Sequence, residues 1–523
     1  MPRECAKLRP FLELPFKLGP SASPPALWKR LCPTGGHDFL IQHAAMRLCT
    51  EHETSIDLTF VQVAQRAEAC SHFSSRVGRA SVVTSSTHTL KEVKSQILSY
   101  MDQNGTDAGR FGPLPGCHLA CGFLESVLAR RVSYPHSSTY EFEESRYWSQ
   151  QQELTKPTCR FSPASAEETS LAVLTFRVTN CKFAVKSGGH AAFAGASNVE
   201  GGVTIDLIHL NQLALSADKT QASIGAGNVW YDVYAYLQPE NVTVIGGRVS
   251  AIGVGAAYPQ GDLWAGSETF LYTNETAAAI NSAFYYLGIN APSDPYAQVI
   301  IAYAYAQSQD VFVIASDLQY AKPIPNPVIL QNFTSVAGAI ASTLRVVDLA
   351  ILTVEFNNSN PGGFRQTYWT FTVQNSACLM TELVEIYLEE VASVKDVAGI
   401  VPSVVFQLIT TDMSQYFSRD GGNPLGLDGQ GPLNVVNIAI SWSNAVDDKR
   451  VMAAAQNIVD RSTTTARTQG LDHPYLYQNY ASYQQDVFAS YGKENLAKLR
   501  SISAKYDPQQ VWQQLQPGYF KLW

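Results

Sequence analysis

The chain has 523 residues, 46% of them hydrophobic and 16% charged, with a formal net charge of −8. That length and apolar content exclude global disorder and predict a large core, divided into about three or four domains or two large ones. The acidic balance and the lack of a basic stripe argue against a nucleic-acid partner, and no apolar run approaches the ~20 residues that cross a bilayer.

Residues 1–116 are poorly patterned and take no domain assignment; they hold two short helical stretches, Phe60–Ala69 and Leu90–Met101. Gly116–Arg130 reads as a helix, and Ser165–Phe176 as another. Between residues 181 and 247 the pattern is strand (Cys181–Lys186), glycine loop, half-buried strand (Val203–Leu207), short strand (Ala222–Ile224), helix (Trp230–Leu237) and strand (Val242–Ile245). Farther on, helical stretches (Thr276–Leu287, Val336–Leu344, Thr381–Val391, Lys449–Arg461) alternate with apolar strands. The strands are Val299–Tyr305, Leu349–Glu355, Tyr368–Val373, Val404–Ile409 and Val435–Trp442, which composes an antiparallel sheet covered by helices. A last helix spans about Glu494–Lys505 and stops at Asp507-Pro508.

Nine cysteines are present, and Cys117, Cys121, Cys159 and Cys181 cluster. These four could make two disulfides, which would imply an oxidising compartment. Five N-x-S/T sequons, at Asn104, Asn241, Asn274, Asn332 and Asn357, lean the same way. The apolar stretch Phe11–Phe16 is short and broken by Glu13 and Pro15, so it is not a signal-peptide core. The expectation is an intracellular protein or a start other than Met1, with an extracellular location favoured in the second case.

The sharpest local signal is Lys186-Ser187-Gly188-Gly189-His190 after a strand, followed by a second glycine-rich segment, Gly246-Gly247-Arg248 to Gly253-Val254-Gly255. Consecutive glycines let the backbone approach a ligand and turn N–H groups toward phosphate oxygens. A glycine turn with a surface histidine is the bland alternative for the first loop alone. Two such loops in one region favour a dinucleotide site.

These loops, with Tyr147-Trp148-Ser149, Phe183-Ala184-Val185-Lys186 and Gly202-Val203-Thr204-Ile205-Asp206-Leu207, resemble the vanillyl-alcohol-oxidase-type (PCMH-type) FAD-linked oxidoreductases. The nearest branch is berberine-bridge-enzyme-like and fungal in flavour. Tyr475-Leu476-Tyr477-Gln478-Asn479-Tyr480 and Lys505-Tyr506-Asp507-Pro508 resemble its C-terminal module. The resemblance covers about residues 117–523 and implies an α+β, two-domain flavoprotein. A split FAD-binding domain (117–262, rejoined by 471–523) would flank an antiparallel-sheet substrate domain (263–470).

The resemblance also implies roles. His190 matches the histidine that carries FAD covalently through its 8α-methyl carbon. Ser187, Gly188, Gly189, Gly246, Gly247, Gly253 and Gly255 would hold the cofactor by main-chain contacts. No cysteine stands in the later loop, so a single link is expected. Tyr477, Asn479 and Tyr480 match a strand over the flavin ring, with Tyr477 and Tyr480 as candidate proton acceptors. Gln407 is a candidate for the substrate wall, or a satisfied core glutamine.

The implied reaction oxidises an alcohol, sugar or secondary metabolite, with flavin reoxidised by molecular oxygen in a monomer that holds no metal. One departure stands out. The family pattern continues after Gly255 with further strands and a second glycine motif, whereas Ala256–Trp264 here leads straight into the substrate domain. The alternative expectation is therefore an inactive relative, or an incomplete gene product, that does not hold FAD.

Overall fold

The structure is a computed structural model. It describes residues 88–103, 116–244, 246–247, 249, 262–419 and 422–523. The stretch Phe60–Ala69 and the residues Gly253 and Gly255 lie outside the described residues.

A four-stranded sheet has the order β1 (Val132–Ser133), β2 (Cys159–Phe161), β4 (Val203–Asp206), β3 (Phe183–Lys186). Strands β2, β4 and β3 run parallel and β1 antiparallel. The alternation in Val203–Leu207 predicts a half-buried strand, yet Thr204 and Asp206 are as buried as Val203 and Ile205. Strand β4 is central and parallel, so both its faces are covered. Its polar side chains are buried because a polar network receives them.

The helix Ala166–Thr179 covers this sheet. Ser165 caps it by accepting from the Glu168 N–H, and Asn180 ends it in the left-handed region. The helices Leu90–Gln103 and Gly116–Leu128 pack into the same core. From the far end of the chain, Val511, Trp512 and Leu515 join this core, and the Phe183 N–H donates to the Leu515 carbonyl at 2.9 Å.

Two disulfides, Cys117–Cys181 and Cys121–Cys159, tie the helix Gly116–Leu128 to β2 and to the entry of β3. Cys121→Ser with Cys159→Ser is expected to cost about 2–4 kcal/mol, read as a lower urea midpoint with a slope that does not fall. A midpoint equal to that of the unsubstituted protein would show that the bridge contributes nothing.

A small ribbon pairs β5 (Leu213–Leu215) with β6 (Ala222–Ile224), and the helix Trp230–Leu237 packs beside it. Residues 242–244 form no strand, contrary to the sequence expectation. Their valines instead pack against the cluster around Trp230 and Tyr234.

The second sheet has nine strands. Its order is β10 (Ala339–Ser342), β7 (Leu263–Leu271), β9 (Val311–Tyr320), β8 (Ala297–Ala306), β13 (Val401–Ile409), β14 (Leu433–Trp442), β12 (Arg365–Gln374), β15 (Asp472–His473). Strand β11 (Arg345–Val347) also pairs with β7, and every pairing is antiparallel. Alternation sorts its side chains. Tyr303, Ile314, Phe406, Ile438 and Trp369 pack under the helices Asn274–Asn290, Ala377–Val391 and Asp448–Thr468. Ala302, Asp317, Gln407, Asn437 and Tyr368 line a cleft on the opposite face.

Two sequence expectations exchange identity here. Leu349–Glu355 is not a strand but the start of the helix Leu349–Asn358. Its apolar run fits either state by periodicity. The deciding residue is Asp348, whose carboxylate caps the helix by accepting from Ile351 N at 2.9 Å. Val336–Leu344 is not a helix; its Ala339–Ser342 forms an exposed edge strand on β7.

Candidate active site

The glycine loop leaves β3 directly above a buried ionic network. Arg160 on β2 donates to Glu143 at 3.1 Å and to Asp206 at 2.7 Å, and also pairs with Glu144. Lys186, the last residue of β3, reaches the same Asp206 carboxylate at 2.9 Å. Burial alone would raise the Asp206 carboxyl, but Lys186 and Arg160 beside it hold it below its ordinary range. Asn198 joins the network, donating to Glu144 at 3.1 Å and accepting from Thr204 Oγ1 at 2.6 Å.

Removing Arg160 takes a shared cation from three buried carboxylates, of which Asp206 keeps Lys186 and Glu144 keeps Asn198. Arg160→Ala is therefore expected to destabilise the fold by about 3–5 kcal/mol, measured by denaturant unfolding. A loss below 1 kcal/mol would contradict this account.

The network fixes where the loop begins, and other contacts fix its shape. Ser187 Oγ donates to the Ala226 carbonyl at 2.6 Å, and the Trp148 N–H donates to the Gly189 carbonyl at 3.1 Å. Gly189 has φ +72°, and a Cβ there would meet the Tyr147 ring and the Lys186 side chain at 3.1 Å. Both the conformation and the space require glycine.

His190 follows and stacks on Trp148, with ring centroids 4.4 Å apart and planes 23° apart. One edge of its ring opens to the cleft, yet burial by the surrounding protein pushes the imidazole down to about 4. It is uncharged at neutral pH, with a nucleophilic nitrogen. Trp148 continues across the cleft, donating from Nε1 to the Asn360 carbonyl at 3.1 Å and tilting against Tyr368 at 5.3 Å.

The opposite wall comes from the C-terminal segment. Tyr477, Asn479 and Tyr480 do not lie on a strand; Gln478–Tyr480 is a single 3₁₀ turn, which sends both phenols toward the cleft instead of to opposite faces. The Tyr477 and Tyr480 rings meet edge to face at 4.9 Å. Asn479 Nδ2 donates to Tyr477 Oη at 2.8 Å, and Gln407 Nε2 donates to Tyr480 Oη at 2.8 Å. Gln407 is thus a wall residue, not a self-contained core glutamine.

Ser187, Gly188, Gly189, His190, Gly246, Gly247, Tyr477, Asn479 and Tyr480 therefore line one cleft of about 1260 Å³. Sequence reasoning missed Trp148, Tyr368, Asn437 and Asp317 on its walls. The available signal for Asn437 was a polar residue alternating within the apolar run Val435–Ile440. Asp317 sits on β9, a strand the sequence reading did not identify.

Among the described residues, the main-chain N–H groups of Gly188, Gly189 and His190 donate to no protein acceptor. A loop of such donors at the mouth of a large cleft, with an uncharged imidazole at its end, is a donor set that fits FAD.

Comparison with known proteins bears on this fit. Residues 157–276 match the family described as FAD binding domain. The chain is 30% identical over 478 residues to the FAD-dependent monooxygenase sdcF of Emericella nidulans, covering 77% of this chain and 98% of that protein.

The chain belongs to the PCMH-type FAD-dependent oxidoreductases.

A second relative, the FAD-dependent monooxygenase tpcD of Cochliobolus heterostrophus, is 29% identical over 489 residues, covering 78% of this chain and 94% of that one. Solved structures share the PCMH-type fold. The 6-hydroxy-D-nicotine oxidase of Arthrobacter nicotinovorans superposes with TM-score 0.60 at 12% identity, covering 73% of this chain and 96% of that one. The xylooligosaccharide oxidase of Myceliophthora thermophila gives 0.58 at 14%, covering 77% and 99%.

Proposed function

We propose that this PCMH-type oxidoreductase removes two hydrogens from a hydroxyl-bearing small molecule, with molecular oxygen as the final electron acceptor. The observation that carries the reading is the convergence on one cleft of the His190 loop and the Tyr480–Gln407 pair. FAD, when bound, supplies the two-electron acceptor. The N–H groups of Gly188–His190 would hold its polar groups, and His190 would carry the single covalent tether through a ring nitrogen. Tyr480 Oη accepts the hydroxyl proton of the substrate. Gln407 holds that oxygen in place, and Tyr477 with Asn479 closes the wall beside it. The fungal relatives are named monooxygenases and the solved neighbours oxidases, and both reaction classes consume dioxygen.

A second reading, an inactive relative that does not hold FAD, is favoured by one observation. The alignment with the Cochliobolus protein runs over 489 positions but draws on only 78% of this chain. It therefore includes several dozen positions of that protein without counterpart here. The break after Gly255 is where the sequence pattern places them.

The absorption spectrum of the purified protein separates the readings. Flavin bands, bleached by an alcohol without oxygen and restored with peroxide on admitting air, are the expected result. Colourless protein that stays colourless after incubation with FAD would sink the enzyme reading.

We also propose an extracellular location, on the two disulfides and the exposed sequon residues Asn241, Asn274 and Asn332. Protein secreted from a fungal host should lose mass on treatment with an N-glycanase; unchanged mass would count against this.

A further inference from the structure

We infer that Trp148 is the positioning residue for covalent attachment of the cofactor: its indole holds the His190 ring in the plane from which a ring nitrogen reaches the cleft, and the segment entering β12 holds the indole. The inference rests on the tether proposed above and adds the residue that orients it.

The lone pair of an imidazole nitrogen lies in the ring plane, so the plane sets the direction of attack. A histidine closing a glycine loop turns easily, through its backbone and through its broad last torsion. Here both freedoms are removed by one segment. The Trp148 N–H donates to the Gly189 carbonyl at 3.1 Å, on one side of His190. On the other side Ser149 Oγ and Gln152 Nε2 donate to the Ala191 carbonyl at 2.9 and 2.8 Å. The indole then lies flat on the imidazole, with centroids 4.4 Å and planes 23° apart. It covers one face of the ring and leaves an edge to the cleft.

The indole is itself anchored from the nine-stranded sheet. Its Nε1 donates to the Asn360 carbonyl at 3.1 Å, and the Trp148 carbonyl accepts from the Gly363 N–H at 3.0 Å. Its ring tilts against Tyr368 of β12 at 5.3 Å. A Cβ at Gly362 would meet the Trp148 carbonyl oxygen at 3.2 Å and the indole at 3.4 Å, so the approach is close. Next along the chain, the Gln150 N–H donates to the Phe364 carbonyl at 2.9 Å. The Gln151 carboxamide pairs with the Gln366 main chain in both directions, donating at 2.8 Å and accepting at 3.1 Å.

Attachment exchanges the imidazole N–H and one C–H of the 8α-methyl group for a C–N bond. The two hydrogens, with their electrons, pass to the isoalloxazine, and molecular oxygen removes them as hydrogen peroxide. The new bond forms along the nitrogen lone pair, and a misplacement of about 1 Å in such a step costs up to about 10²-fold in rate.

The test mixes cofactor-free protein with FAD in air and follows the flavin that stays with acid-precipitated protein. Trp148→Met and Trp148→Phe both fill the space and both lose the indole N–H, but only phenylalanine keeps a flat face. Trp148→Met is expected to lower the limiting attachment rate by about 10–100-fold, and Trp148→Phe by no more than about threefold. The FAD concentration giving half the limiting rate should move by less than about twofold in both, which separates positioning from binding. Gln151→Ala cuts two anchoring bonds and leaves the stacked rings untouched, so it reads the anchor even if a Trp148 variant does not fold. It should slow attachment by about threefold or more at saturating FAD.

Attachment in Trp148→Met as fast as in the unsubstituted protein, equal slowing in the Met and Phe variants, slowing accounted for by weaker FAD binding, or an unchanged rate in Gln151→Ala would overturn the inference and leave the tether standing. FAD that binds the unsubstituted protein but never becomes acid-stable would sink the tether and the inference together.

Discussion

His190→Ala is expected to convert the flavin from acid-stable to acid-releasable while leaving the protein folded. His190 ends a loop and contributes one stacked contact, to Trp148. Losing that contact costs about 1 kcal/mol, a small part of the stability of a domain. On the proposed single tether the effect on attachment should be total, because the later glycine segment holds no cysteine to provide a second one. The measurement is flavin fluorescence of the acid-precipitated, electrophoresed band. Fluorescence in the unsubstituted protein and none in the variant is the expected pair. A fluorescent band that survives the substitution places the link on another residue.

The pH dependence of attachment has a definite sign. Burial lowers the His190 imidazole to about 4, so its nucleophilic form is fully present at pH 7 and is lost only as pH falls through about 4. Incubating cofactor-free protein with FAD should therefore give an attachment rate that is flat from neutral pH down to about 5. A rate that falls by half near 6.5, the ordinary histidine value, would show an exposed imidazole instead.

The legible part of this protein was the part with short-range signals. The strand before Ser187, the paired glycines and the terminal Asp507-Pro508 stop are local features, and their elements appear where expected. The C-terminal tyrosines line the cleft from a 3₁₀ turn, where the resemblance had implied a strand. The exchanged pair, Leu349–Glu355 and Val336–Leu344, failed for a different reason. Both are short apolar runs, and their state is decided by a single cap at Asp348 and by an edge pairing with β7. The ionic network around Arg160 was invisible for a third reason. Its members come from five separate segments, and only the parallel pairing of β2 with β4 sets Arg160 beside Asp206. Likewise, no spacing in the sequence tells that Gln407 meets Tyr480, since that contact spans 73 positions.

Tyr480→Phe is expected to lower the rate of substrate oxidation by about 10²–10⁴-fold, the range for loss of a positioned general base. The substitution removes one oxygen and little else. The ring keeps its edge contacts with Tyr477 at 4.9 Å and Tyr368 at 5.9 Å, so the wall stays packed. The Gln407 amide loses its Tyr480 acceptor at the cleft, where water can take its place, and the cost in stability should stay near 1 kcal/mol. Flavin content and substrate affinity should therefore change little, while flavin bleaching under anaerobic single turnover slows by the full factor. Tyr477→Phe is the internal control, because the phenol it removes accepts from Asn479, whereas the Tyr480 phenol accepts from Gln407 on β13. It should slow bleaching by less than about tenfold. Equal losses in the two variants would mean that the phenols act as one unit. A larger loss in Tyr477→Phe would move the proton-accepting role to Tyr477 and leave Tyr480 as the residue that positions it.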